Sequence, residues 1–265
     1  MKNLVKKILV RLDIYLPLRY SFFYRIYVTL FQKNIIAAEK KEVAFYRSFL
    51  NKCDLIFDIG AYDGHKTAAF LHFANRVICC EPDPLNYSIL RARFRSDKKV
   101  IIQQVALSNT ISTKQFFIHH PGSAFNTFDS KWKNILENEG QQKFNETFHF
   151  SDGLSVTTTT LDDLIAKFGI PDFIKIDVEG HEKFVLEGLS TRINYLSIEA
   201  NLPYFRQETI ECLQMLQTLH SDSLYNYSID EKLQLPEFVG HSKFLNIFIS
   251  LADNSCEIIC RMNVF

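Results

Sequence analysis

The stretch Phe57-Asp58-Ile59-Gly60-Ala61-Tyr62-Asp63-Gly64 decides the fold. An apolar run feeds directly into a glycine-bearing turn, and a helical pattern begins at residue 65. This order of strand, turn and helix opens a βαβ unit, where glycine lets the backbone adopt positive φ and approach a ligand closely. A dinucleotide site would carry Gly-x-Gly-x-x-Gly, with helix N–H groups facing a pyrophosphate. Here the turn has only Gly60 and Gly64, and Asp58 precedes them.

That arrangement suits a cationic ligand with an amino-acid moiety, because a carboxylate near the turn can hold an ammonium while turn N–H groups meet a carboxylate. The next strand ends in Glu81-Pro82, which sets an acidic side chain beside the first strand, where it can accept both hydroxyl hydrogens of a ribose. S-adenosylmethionine offers all of these groups. Taken singly, Asp58 reads equally as a turn or capping residue and Glu81 as an exposed strand end; their spacing around Gly60 and Gly64 favours cofactor binding.

Further along the chain, short apolar runs at 54–58, 76–81, 100–105, 172–177 and 195–200 alternate with helical patterns at 65–73, 84–94, 161–168, 181–189 and 207–219. This alternation predicts a doubly wound α/β domain with a mostly parallel sheet. Runs at 224–229 and 243–251, separated by a loop with Pro236 and Gly240, predict an antiparallel pair at the sheet edge. Residues 114–155 read as an irregular insertion and a candidate substrate loop. His119, His120 and Ser123 there could reach a polar acceptor, while Phe116, Phe117, Phe125, Phe128 and Trp132 read as a lid wall, a sugar-stacking surface or plain loop packing.

A second constellation is Phe173-Ile174-Lys175-Ile176-Asp177-Val178-Glu179-Gly180-His181-Glu182. Its strand ends at Asp177, so that carboxylate points to the same crevice as Asp58 and Glu81. Glu182 reads better as the complement of a helix N-terminus. Glu199 and Asn201 close the next strand as candidate substrate contacts. Asp177 and Glu199 together could hold Mg²⁺, but no compact ligand motif enforces that geometry, and hydrogen bonding to substrate without metal is preferred.

Composition sets the outer bounds. The 265 residues, 47% hydrophobic, suffice for a sizeable core, and a formal net charge of +0 supplies no field toward nucleic acid. The six cysteines form no Cys-x-x-Cys pair, and buried thiols in a reducing compartment are the better reading even for Cys256 and Cys260. Residues 1–48 form a basic amphipathic helical extension, broken at Pro17, before a domain spanning 49–265. Its apolar residues are too interrupted for a spanning helix or a signal peptide. A cytoplasmic location is expected, with peripheral membrane contact through this segment or a solvated packing layer as its two readings.

The blocks FDIGAYDG, CCEPDP, VALSN, TTTTLDDL, DFIKIDVEGHEKFVLEGL and LSIEAN, in this order, resemble the FkbM family of S-adenosylmethionine-dependent methyltransferases over roughly residues 53–250. The resemblance implies the class I methyltransferase fold, a seven-stranded mostly parallel sheet with one reversed edge strand. It places Asp58, Gly60 and Gly64 at the methionine end of the cofactor, with Ala61 and Tyr62 in the same turn. Glu81, followed by Pro82, takes the ribose, and Ala106, Leu107 and Ser108 lie near the adenine. Asp177 and Glu179 fall near the methyl group and acceptor. The implied activity is O-methylation of a glycan, lipid-linked sugar or natural product; an N- or C-methyltransferase and a non-catalytic binding module are the alternatives. Two positions depart from the family pattern: Tyr62 replaces the usual asparagine and His181 the usual alanine. Tyr62 could stack on the cofactor or occupy part of its site. His181 or Asp177 is the expected proton acceptor.

Overall fold

The computed structural model describes residues 15–151, 153–252 and 255–262. Residues 1–14 of the basic extension lie outside the described residues.

The central sheet is built where the chain is most apolar. Strands β1 (Cys53–Ile59), β2 (Ala74–Cys80) and β3 (Val100–Gln103) run parallel on one side of the centre. Strands β7 (Phe173–Ile176) and β8 (Tyr195–Ala200) continue it in the same direction on the other. Beyond β8 comes β12 (Cys256–Arg261), antiparallel to β8 and to β9 (Leu224–Ile229). The seven longer strands thus stand in the order β3-β2-β1-β7-β8-β12-β9, with two-residue strands β10 (Lys232–Leu233) and β11 (Val239–Gly240) paired to β9. Both faces are covered, and Ile56, Phe57, Ile78 and Ile174 are fully buried, which is why these strands read as continuous apolar runs.

Two expectations fail at the C-terminal side. The reversed strand is not at the edge but is inserted between β8 and β9. Residues 243–251 are not a strand either: a helix spans His241–Ser250. Phe244 and Phe248, one helical turn apart, are buried and stacked with centroids 6.4 Å apart, and Phe244 stacks on Tyr225 at 5.4 Å. The apolar run fits a 3.6-residue period as well as a strand, and packing against β9 decides for the helix. Cys256 and Cys260, on β12, are buried in the core, and burial pushes both thiols up to about 12.

The insertion is also more regular than its sequence suggests. Strand β5 (Ser112–Phe116) pairs antiparallel with β6 (Leu154–Thr159), which pairs parallel with β4 (Ala106–Leu107). Between β5 and β6 lies a 15-residue helix, Ser130–Phe144. Asp129 caps it by accepting from the Trp132 N–H at 2.8 Å, and Trp132, Leu136 and Gly140 form its buried face.

At the N-terminal side, helices α1 (Tyr15–Arg19), α2 (Phe22–Phe31) and α3 (Lys33–Arg47) precede β1. Pro17 lies within α1 rather than breaking it; the breaks come at residues 20–21 and at Gln32. Helix α4 (His65–Phe70) follows β1, and α5 (Pro84–Arg93) follows β2.

Candidate active site

A cavity of about 280 Å³ opens at the C-terminal ends of β1, β2, β7 and β8. This is where chain connections leave in opposite directions from β1, toward β2 on one side and β7 on the other, and such switch points leave a crevice.

Steric necessity fixes the turn after β1. Gly60 has φ 80°, and a Cβ there would stand 1.8 Å from the Asp177 carbonyl oxygen. Gly64, with φ 79°, starts α4 and packs against Leu90 and Phe94 instead of lining the cavity. Four of the turn's N–H groups are not free for a ligand carboxylate, contrary to expectation. Gly60 and Ala61 both donate to the Cys80 carbonyl, Tyr62 donates to Glu81, and Gly64 donates to Ala61. Closing the turn against β2 consumes them.

Asp58 is buried and accepts from the Thr67 hydroxyl at 2.5 Å. Burial raises its pKa against the opposing effect of that hydrogen bond and of Lys175. Glu81 accepts from the Tyr62 N–H at 2.8 Å through one carboxylate oxygen and from the Asp83 N–H at 2.9 Å through the other. Burial nevertheless pushes it up to about 8. Two groups here escaped the sequence reading. Asn86, in the first turn of α5, lines the cavity and its side chain hydrogen-bonds Glu81, while its buried Oδ1 has no partner. Asp83 caps α5 through the Leu85 and Asn86 N–H groups and ties the insertion down through Gly122 N–H and Asn126 Nδ2.

The apolar wall comprises Pro82, Val105, Ala106, Leu107, Phe116 and Phe128. Ser123 also lines the cavity, whereas His119 and His120 do not. His119 bonds Glu146 and the His149 carbonyl instead. Ser108 is a correction: it lies behind the wall, accepting from Lys114 Nζ at 2.7 Å and meeting His181 Nε2 at 3.1 Å.

His181 is the second correction. Its ring does not line the cavity but is buried between Phe128 and Phe184, at centroid distances of 5.5 and 4.6 Å. Burial first, then the Lys114 ammonium, lowers its pKa to about 4, so it is neutral at pH 7 and removed from any acceptor in the cavity. Asn201 is the third: it stays outside the lining, its Oδ1 accepting from Ser255.

The opposite end of the cavity is a charge network from β7 and β8. Lys175, only 3% exposed, donates to Asp177 at 2.6 Å. Burial would raise the pKa of Asp177, but the Lys175 ammonium and a hydrogen bond with Glu199 outweigh it and hold that carboxyl well below its usual range. Glu199 is driven the other way, upward, by the Asp177 charge and then by burial. Carboxylate oxygens of Asp177, Glu179 and Glu199 all lie within 4.8 Å of one another, and the Lys175 ammonium on Asp177 offsets part of their charge.

Glu179 has φ 53° and is held by the insertion: Trp132 Nε1 donates to its Oε2 at 2.9 Å, and the Thr127 hydroxyl to its carbonyl at 2.6 Å. Burial, then Asp177 and Glu182, raises its pKa. Glu182 caps the turn through Val178 and Gly180 N–H groups, as its position at the helix start suggests.

The order of the seven longer strands, with β12 alone reversed among them and the cavity at the switch point, defines a Rossmann-like class I methyltransferase fold. The family model of the methyltransferase FkbM domain matches residues 58–229, and the chain belongs to the FkbM methyltransferase family. No curated protein matches it significantly. Among solved structures it is similar to the FkbM methyltransferase of Methylobacillus flagellatus, at 16% identity and TM-score 0.47, over 80% of this chain and 45% of that one. The chain therefore spans less than half the length of that relative. It is also similar to a precorrin-6Y C5,15-methyltransferase from Geobacter metallireducens, at 10% identity and TM-score 0.40, with 87% of each chain covered. A third similar structure is an O-methyltransferase from Bacillus cereus in complex with SAH, at 11% identity and TM-score 0.40, over 85% of this chain and 80% of that one.

Proposed function

We propose that the chain binds S-adenosylmethionine and methylates a hydroxyl group of a glycan, lipid-linked sugar or natural product. The observation carrying this reading is that one cavity joins the Gly60 turn, Glu81 and Asn86 at one end to an ionised Asp177 at the other. Residues present fit the cofactor: Glu81 would take the ribose hydroxyls, Pro82, Ala106 and Leu107 the adenine, and Asp58 with carbonyl oxygens of the Gly60 to Tyr62 turn the ammonium of the methionine end. When bound, the sulfonium supplies an activated methyl group.

The protein's own part is placement and proton handling. Asp177 accepts the acceptor hydroxyl's hydrogen bond and takes up the proton that oxygen loses, while Lys175 keeps Asp177 ionised until then. Glu199 and Ser123 contact the acceptor, and Glu179, fixed by Trp132 and Thr127, closes that end.

The test is incubation with methyl-labelled S-adenosylmethionine and panels of hydroxyl, amine and carbon acceptors, followed by mass spectrometry. Label on a hydroxyl oxygen, reduced roughly 10²-fold or more by Asp177→Asn, is expected. Label on nitrogen or carbon alone would overturn the O-methylation reading.

A further inference from the structure

Twelve large apolar side chains are exposed among the described residues, and six of them, Leu18, Ile26, Tyr27, Leu30, Phe31 and Ile35, fall within one short segment. The other six are scattered singly from Leu85 to Ile249. Isolated exposed apolar residues are ordinary, whereas a concentration of them marks a contact surface. The spacing of Ile26, Tyr27, Leu30 and Phe31 puts them on one face of α2, with Leu30 60% and Phe31 72% exposed.

Charge is divided in the same place. Residues 1–47 carry ten Lys and Arg against three Asp and Glu, while residues 48–265 carry twenty against twenty-seven. A chain of zero net charge is therefore a basic segment joined to an acidic body. Lys33 and Lys40 of α3, the helix that follows, are exposed. Helical segments with exposed Phe, Leu and Ile among basic residues lie in a membrane interface and gain from anionic lipid. No helix among the described residues is long and apolar enough to cross a membrane.

The segment also adjoins the cavity. Helix α1 packs on α5, and Arg93 of α5 lies 5.9 Å from the Tyr20 ring while donating to the Asp63 carbonyl at 2.9 Å. Tyr62, which lines the cavity, feels the charge of Arg19.

We propose that α1, α2 and the start of α3 dock on the surface of a bilayer containing anionic phospholipid, setting the cavity mouth beside a lipid-borne acceptor. The acceptor clause rests on the proposed methyl transfer; the docking does not.

The test is co-sedimentation of the full chain with phosphatidylglycerol/phosphatidylcholine vesicles and with phosphatidylcholine alone, together with light scattering and calorimetric binding of S-adenosylhomocysteine. Binding to the anionic vesicles should exceed that to phosphatidylcholine by roughly tenfold, and added salt should weaken it. Leu30→Glu/Phe31→Glu should lose roughly tenfold in vesicle binding with the circular dichroism spectrum unchanged. If that variant fails to fold, Lys33→Glu/Lys40→Glu decides by the same loss. Absence of wild-type binding to anionic vesicles, or variant binding equal to wild type, overturns the proposal. A wild-type dimer that Leu30→Glu/Phe31→Glu converts to a monomer without affecting vesicle binding also overturns it, because a second copy then covers the face.

Discussion

The two ends of the cavity are built by different physics. The end formed by β1 and β2 is fixed by backbone: the Gly60 turn leaves no room for a Cβ, and its N–H groups close onto Cys80 and Glu81. The end formed by β7 and β8 is fixed by charge: Lys175, Asp177 and Glu199 set one another's protonation across adjacent strands. A backbone-built end tolerates no change of shape, whereas a charge-built end changes its behaviour with pH and with single charge removals.

The contrast is broken most severely by Gly60→Ala. At φ 80° and 1.8 Å from the Asp177 carbonyl, the new Cβ should cost about 3 kcal/mol or more in stability, read by urea denaturation. Near-normal stability would show that this turn can move.

Lys175→Met attacks the other end. Removing one partner of a fully buried pair costs about 3–5 kcal/mol, and the 29% exposure of the Asp177 side chain reduces this to about 2 kcal/mol at pH 7. Because the Asp177 pKa is depressed, its contribution is present above the ordinary carboxyl range and lost as pH falls through the folded value. The difference between wild type and variant should therefore shrink in acid, and a difference that grows would contradict the pairing.

Trp132→Phe sharpens the comparison by separating the ends. Loss of the indole donor leaves Glu179 Oε2 unpaired, at about 1–3 kcal/mol. Methyl transfer should fall while S-adenosylhomocysteine affinity stays within about twofold, a change too small for one lost hydrogen bond to the ligand. A large loss of affinity would show that the two ends are not independent.

The smallest effect is a slope. Glu182, raised by burial to about 7, binds its proton more tightly in the folded protein, so it lowers stability as pH rises from its ordinary value near 4.5 to about 7. Glu182→Gln keeps an oxygen to accept from Val178 and Gly180 and should flatten that decline by about 1 kcal/mol per pH unit. An unchanged slope would place the titration elsewhere.

The backbone-built end is the one the sequence displays, because its determinants are contiguous: FDIGAYDG and the strand-ending Glu81 each sit in one short block. The charge-built end was half visible. Asp177 and Glu199 stand out as strand ends, but the role of Lys175 depends on two strands placing three charges together, and only its presence in the apolar run Phe173–Ile176 hinted at it. Asn86 is hidden because nothing in an amphipathic helix distinguishes a residue facing the cavity from one facing solvent. His181 misled for the opposite reason: adjacency to Asp177 in sequence suggested the cavity, but the Gly180 turn sends the ring to Phe128 and Phe184. The helix at His241–Ser250 was misread as a strand because tertiary packing, not local pattern, chooses between the two periods.

Calorimetric titration of the wild type, Asp58→Ala and Glu81→Ala with S-adenosylhomocysteine tests whether the cavity is a cofactor site. Saturable one-site binding by the wild type is expected, weakened roughly tenfold or more by Glu81→Ala through loss of two hydroxyl contacts, and weakened also by Asp58→Ala. A folded wild type that binds no S-adenosylhomocysteine, or a Glu81→Ala variant that binds as well as wild type, would contradict it.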